Sequence, residues 1–196
     1  NFYKNSGMNK HKLRRVYKKK RQALEASTRS ELSLKIANQA LKLPIWEFSF
    51  YHLFLSIKSL EEVDTEPLLT ILFGKDKQVV IPKSNVVTFE MKHYLLTDAT
   101  AIKPNIWNIP EPLDGTTIEA SKIQLVFVPL LAFDKKGQRV GYGKGFYDKF
   151  LNEYIKWQKD ILTVGVAFSF QKHHNLPVKS NDFKLDCIIT EKGLIV

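Results

Sequence analysis

Residues 123–151 read IQLVFVPLLAFDKKGQRVGYGKGFYDKFL and hold three patterns in succession. IQLVFVP is an apolar run of strand length. A polar loop follows, with Gly141, Gly143 and Gly145 at alternate positions. Phe146, Phe150, Tyr154 and Trp157 then recur at helical intervals in GFYDKFLNEYIKW. Strand, glycine loop and helix in that order form half of a parallel crossover, and the same alternation extends in both directions. FYHLFLS, QVVIP, ILTVGVAFSF and CIIT read as buried strands, and TFEMKHYLL as a strand with one wet face. DTEPLLTILFG reads as a helix with Asp64 or Thr65 at its N-cap and Gly74 past its end. STRSELSLKIANQALKLP reads as another, opened by a Thr28–Glu31 capping box and stopped by Pro44. The expected fold is a single α/β domain: a mainly parallel sheet with helices on both faces, a Rossmann-like three-layer sandwich.

The 196 residues suffice for one buried core and do not require two. Residues 10–196 are expected to form the domain, and residues 1–9 an N-terminal extension or expression remnant without order. No apolar run reaches membrane-spanning length. The one cysteine, Cys187, permits no internal disulfide, which points to a reducing, cytoplasmic location, and a monomer that binds no membrane is expected. His11, His52, His93, His173 and His174 fit no zinc spacing and read as surface residues. Asp186 reads as a capping residue.

The net charge of +10 is concentrated in the opening segment. Lys4, Lys10, Lys12, Arg14, Arg15, Lys18, Lys19, Lys20 and Arg21 occur there with no acid before Glu25. NKHKLRRVYKKKRQAL has helical spacing through Leu13, Val16, Tyr17 and Leu24. Its charge suits a solvated face, a nucleotide's phosphates or a nucleic-acid backbone, and charge alone does not choose.

The glycine loop suits phosphate for a separate reason. Glycines tolerate positive φ and close backbone approach, and successive amides running into a helix N-terminus make a concave set of donors. Arg139 and Lys144 add charge, and Asp148 in the first helical turn suits a divalent cation. The loop lacks the G-K-[ST] of a Walker loop and has G-x-G-x-G spacing, not the G-x-G-x-x-G dinucleotide fingerprint. A phosphate loop and a tight structural turn both remain open on these grounds.

VPLLAFDKKGQRVGYGKGFYDKFL resembles the signature of the 5-formyltetrahydrofolate cyclo-ligase family. KHKLRRVYKKKRQAL is similar to that family's basic opening helix, FLSIKSLEEVDTEPLL to its strand followed by Glu-x-Asp-Thr, IWNIPEP to its Trp-Asn-x-Pro turn, and NDFKLDCIITE to its C-terminal segment. The resemblance implies ATP- and Mg²⁺-dependent conversion of 5-formyltetrahydrofolate to 5,10-methenyltetrahydrofolate, with release of ADP and phosphate. Matched by position, Lys10, Arg14, Arg139, Gly141, Gly143, Lys144, Gly145 and Tyr147 are the implied ATP contacts. Leu55, Glu62, Trp107, Tyr142, Lys144, Gly145 and Phe146 are the implied folate contacts. Asp148 and Asp182 are the implied metal ligands, and Lys144, Tyr147 and Asp148 the implied catalytic residues.

Two positions depart from the resemblance. Members often carry Arg where this chain has Tyr142, so Lys144 or Arg139 is expected to supply the missing cation. Many have Tyr at Phe146, and that hydroxyl is lost here. Lys18, Lys19, Lys20 and Arg21 receive no assignment and are expected to be solvated. Changing Asp148 to alanine is expected to abolish turnover with the fold intact. The competing readings are a divergent paralogue that binds nucleotide or folate for another purpose, and a basic nucleic-acid-binding module, which no recognised nucleic-acid motif supports.

Overall fold

The computed structural model describes residues 8–155 and 161–195. Residues 1–7 of the expected extension, and Trp157, lie outside the described residues. In chain order the elements are α1 (Lys10–Gln22), α2 (Ala26–Ala40), β1 (Phe50–His52), α3 (Glu66–Gly74), β2 (Gln78–Ser84), β3 (Met91–Leu95), β4 (Ile102–Pro104), β5 (Pro110–Pro112), β6 (Leu125–Pro129), β7 (Ala132–Phe133), β8 (Arg139–Val140), α4 (Phe146–Ile155), β9 (Leu162–Val166), β10 (Cys187–Thr190) and β11 (Gly193–Ile195).

Seven strands make one sheet in the order β11-β10-β9-β6-β1-β2-β3. The five inner strands are parallel, and β3 and β11 close the edges antiparallel. β4 pairs with β5 and β7 with β8 in small antiparallel ribbons. Covered on both faces, the inner strands are apolar at successive positions: Leu125, Val126, Phe127 and Val128 are all fully buried. Leu125 and Phe127 join Tyr51, Val79 and Ile81 against Ile36 and Ala40 of α2 and Leu68 and Leu72 of α3. Val126 and Val128, with Val80 and Ile188, meet Phe150, Leu151 and Tyr154 of α4 on the opposite face. The three-layer arrangement is the one expected. Outside these layers, α1 packs Leu13 and Tyr17 on Leu131, Ala132 and Val140 of the β7–β8 ribbon.

Local expectations fared unevenly. α3 begins after Thr65 as its N-cap, and Asp64 Oδ1 accepts the Glu66 amide at 3.0 Å, but Gly74 is its last residue and not the residue beyond it. The Thr28–Glu31 capping box does not form. The short turn after α1 sets the chain helical from Ala26, so Thr28 falls inside the first turn and Glu25 takes the N-cap without a side-chain bond. Asn9, assigned to the extension, caps α1 by accepting the Lys12 amide at 2.9 Å. Asp186, expected to cap, instead ties the entry of β10 to β9, accepting from the Thr163 amide at 2.7 Å and the Thr163 hydroxyl at 2.6 Å. β11, which the sequence did not suggest, returns beside β10 through a turn at Gly193, where φ is 114°.

Two histidines are not at the surface. Consecutive strand residues face opposite layers. With Tyr51 under α2, His52 therefore points under α4 and is fully buried. Its ring stacks on Phe150 with centroids 5.7 Å apart, and Nε2 lies 3.0 Å from the Tyr147 hydroxyl. His93 on β3 is 5.5 Å from it and 4.5 Å from Phe150, ring centre to ring centre. Burial holds both imidazoles below the usual histidine range, His93 at about 4, and the neighbouring His93 ring lowers His52 further.

The native chain thus leaves His93 unprotonated until about pH 4, while the unfolded chain protonates it from about 6.5. The stability it contributes is complete above pH 6.5 and is lost as pH falls towards 4. Urea melts of His93→Leu and the parent chain should therefore diverge in pH dependence only in that window. The parent should lose roughly 3 kcal/mol more than the variant across it. Parallel curves would mean that the native fold leaves the His93 pKa where the unfolded chain has it.

Candidate functional site

The crossovers from β1 and β6 leave on opposite faces of the sheet, so their carboxyl ends part. A cleft of about 420 Å³ opens there, at the topological switch point. Leu55, Ile57 and Glu62 enter it from the segment after β1, Lys10, Arg14 and Lys18 from α1, Trp107 from the β4–β5 loop, and residues 139 and 141–148 from the glycine loop and α4.

The loop is set up by the β7–β8 ribbon, whose turn is held by Asp134 Oδ1 accepting from the Lys136 and Gln138 amides at 2.9 and 3.2 Å. Gly143 and Gly145 adopt φ of 100° and 77°, a region closed to most side chains, whereas Gly141 does not need it. A Cβ at Gly143 would also crowd the Arg14 guanidinium, 3.0 Å from its Cζ. The guanidinium of Arg14 lies along the loop, and its Nε donates to the Gly141 carbonyl at 2.8 Å. Lys10, Arg14 and Lys18, four residues apart, line the cleft from one face of α1. Part of the basic segment is thereby turned towards the cleft.

The two acids expected to hold metal both line the cleft, each beside a cation. Asp148 Oδ1 accepts from Arg139 NH1 at 2.7 Å and from the Phe183 amide at 3.0 Å. Asp182 Oδ2 accepts from Lys10 Nζ and from the Lys179 amide. Among the described residues no cluster of three or more metal-ligating side chains forms. These bonds occupy one oxygen of each carboxylate. Two carboxylates with an oxygen apiece to offer fit a hard cation that takes its remaining ligands from phosphate and water.

The Arg139 side chain is only 3% exposed and is tied to Asp148. Asp148→Ala, expected to spare the fold, would also strand a buried guanidinium and so carry a cost in stability.

The other end of the cleft is aromatic. Phe146 lies 5.9 Å from Trp107 and 5.7 Å from Phe89 between ring centres. Lys144 Nζ stands over the Trp107 ring, 4.4 Å from its centre, within cation–π reach. Glu62 is buried in the wall, with Oε2 accepting the Ile57 amide at 2.6 Å and Oε1 accepting the Tyr142 hydroxyl. Burial pushes the Glu62 carboxyl above its ordinary range, against the pull of those two donors and the Arg21 charge. The Tyr147 ring lines the cleft, but its hydroxyl pairs with His52, and burial raises its pKa far above the phenolic range.

Two readings of the basic segment change. The cations expected to compensate at Tyr142 are engaged elsewhere, Arg139 with Asp148 and Lys144 over Trp107. The guanidinium beside the Tyr142 ring belongs to Arg21, 5.4 Å from its centre. Arg21, expected to be solvated, is 2% exposed. The signal was present in the spacing: Leu13, Tyr17 and Arg21 recur every four residues along the buried stripe of α1. Lys18, also expected at the surface, lines the cleft.

A doubly wound sheet with a cationic glycine loop and an aromatic wall sharing one cleft at its switch point defines an α/β protein built to bind small ligands there. The chain belongs to the 5-formyltetrahydrofolate cyclo-ligase family, whose family model matches residues 6–191, and it is an enzyme of that class. It is 31% identical to the mouse 5-formyltetrahydrofolate cyclo-ligase over 188 residues, 91% of this chain and 92% of the relative. It is 34% identical to the Haemophilus influenzae cyclo-ligase over 171 residues, 84% and 83% of the two chains. The NMR structure of Aquifex aeolicus 5,10-methenyltetrahydrofolate synthetase is similar with a TM-score of 0.78 at 33% identity, covering 95% of this chain and 92% of that one.

The Asp148–Arg139 pair gives a stability prediction. Asp148→Ala should cost about 3 kcal/mol in denaturant unfolding, as expected for breaking a largely buried ion pair. Asp148→Ala/Arg139→Met should regain most of that loss. A double variant no more stable than the single one would show that Asp148 acts through contacts other than Arg139.

Proposed function

We propose that the cleft holds ATP at its cationic end and 5-formyltetrahydrofolate at its aromatic end, and catalyses closure of the methenyl ring with release of ADP and phosphate. The observation that carries this reading is that the glycine loop contributes to both ends. Gly143 lies against Arg14, Lys144 over Trp107, and Phe146 against the same tryptophan. Direct transfer between two ligands requires such a shared element.

The chemistry follows from the substrate. An N-formyl group is an amide, and closing the ring on it directly would expel hydroxide. Transfer of the γ-phosphoryl group to the formyl oxygen converts that oxygen into a leaving group. The neighbouring secondary amine then attacks the formyl carbon and gives up its proton, and the C–O bond breaks as phosphate departs.

Arg14 and the amides of Gly141–Gly145 hold the phosphates, with Lys10 reaching them from Asp182. Lys144 moves between Trp107 and the transferring group and neutralises its developing charge. Arg139 acts by orienting Asp148, and Tyr147 serves as a wall fixed by His52. Asp148 and Asp182 would hold Mg²⁺, which when bound supplies charge neutralisation on the phosphate oxygens. Leu55, Trp107 and Phe146 pack the flat pterin, and Glu62 accepts from its amino-pyrimidine edge. All these groups belong to one chain, so we expect it to act as a monomer. We place it in the cytoplasm, where the half-buried thiol of Cys187 stays reduced.

The test is spectrophotometric: protein, Mg²⁺, ATP and 5-formyltetrahydrofolate should give the absorbance of the methenyl product, with one ADP per turnover. A folded sample with no ATP-dependent rise refutes the reading. Lys144→Met should lower kcat by about a hundredfold with little change in melting temperature, because Lys144 is exposed and its recorded contact is with Trp107.

A further inference from the structure

Arg21 is a cation set almost wholly inside the protein, 2% exposed. Its Nε and NH2 are buried without a hydrogen-bond partner among the described residues. Among those residues no carboxylate lies within ion-pair distance of it. Its guanidinium stands over the Tyr142 ring and hydrogen-bonds to that side chain, and the Tyr142 hydroxyl donates to Glu62. Three segments remote in sequence thus converge: α1 through Arg21, the glycine loop through Tyr142, and the segment after β1 through Glu62. A buried guanidinium without a partner carboxylate is strongly unfavourable, and an apolar side chain of similar volume would satisfy packing alone.

We propose that Arg21 is a positioning residue for the folate end of the cleft: acting through the Tyr142 ring and hydroxyl, it keeps Glu62 ionised while leaving the carboxylate open to the ligand. The proposal rests on the folate reading above. A direct Arg–carboxylate fork would place guanidinium N–H groups on both Glu62 oxygens. Routed through the phenol, the cation occupies neither. Each carboxylate oxygen has room for two donors. Oε2 has taken the Ile57 amide and Oε1 the phenol, so one position remains on each. Two adjacent acceptor positions match the two adjacent N–H donors on an amino-pyrimidine edge.

The other groups around Glu62 do not replace Arg21. Arg14 and Lys18 of α1 line the same cleft at its cationic end. Arg29 of α2 is paired with Glu61. Tyr147 of α4 is neutral and bound to His52. Burial drives Glu62 towards protonation, and the Arg21 charge is among the attractions that oppose it.

The test is calorimetric binding of 5-formyltetrahydrofolate without nucleotide, between about pH 5 and 8. In the parent chain affinity falls on the acid side of a midpoint set by Glu62, and in Glu62→Gln that dependence is absent. Arg21→Met should move the midpoint up by about one pH unit, with partial restoration in Arg21→Lys. Tyr142→Phe should move it up as well, and Arg21→Met should then add less than it does alone. Thermal stability of Arg21→Met should equal or exceed that of the parent.

A folded Arg21→Met with an unmoved midpoint, or one weakened by the same factor at every pH, overturns the proposal. If Arg21→Met does not fold, an unmoved midpoint in Tyr142→Phe overturns it alone. A parent chain that binds no 5-formyltetrahydrofolate at any pH refutes the folate reading itself, and the proposal with it.

Discussion

Parallel strands are joined by right-handed crossovers, and in this chain that constraint is applied twice in opposite directions. From β1 the chain steps to β2 through α3 on one face of the sheet, and from β6 it steps to β9 through α4 on the other. Neighbouring strands β1 and β6 are therefore parted at their carboxyl ends. That parting receives Glu62 and Leu55 from the β1 side, the glycine loop from the β6 side and α1 across both, while Trp107 and Asp182 reach it from the β4–β5 loop and the segment before β10. Handedness sets the position of the cleft, and side chains decide what it holds.

The charge inside follows a consistent logic. The cationic end pairs its acids with cations of its own: Asp182 with Lys10, and Asp148 with Arg139. Desolvating these groups singly would be costly, and as pairs they are tolerated close to the core. The pairs also connect distant parts of the chain, since Lys10 opens α1 and Asp182 lies shortly before β10. Arg14 performs the same service for the glycine loop, to which it is bound through the Gly141 carbonyl. α1 joins none of the strand pairing, yet it carries the cations that organise the site.

The sequence was most legible where a period governs the structure. Strands covered on both faces read as unbroken apolar runs such as LVFV, and α4 announced itself through Phe146, Phe150 and Tyr154. The glycine loop was legible because its spacing has few other uses. Less visible were features that depend on which layer a residue meets. Alternation places His52 opposite Tyr51, but only the finished sheet shows that α4 covers that side. Arg21 was misjudged because a basic run suggests solvent, while its spacing from Leu13 and Tyr17 puts it on the buried stripe. Asp148 was recognised as a ligand candidate, but its partner Arg139 lies across the loop, and only tertiary geometry joins them. β11 and the true start of α2 turn on local capping and a glycine turn, which a hydrophobic period does not record.

The ammonium of Lys144 above the indole of Trp107 has an optical side. A positive charge on one face of an indole biases the energy of its excited-state dipole, so emission from this tryptophan depends on where the lysine points. The side chain proposed to answer to phosphate is thereby coupled to an intrinsic fluorophore, so that a ligand which moves it would change the colour of the protein's own light.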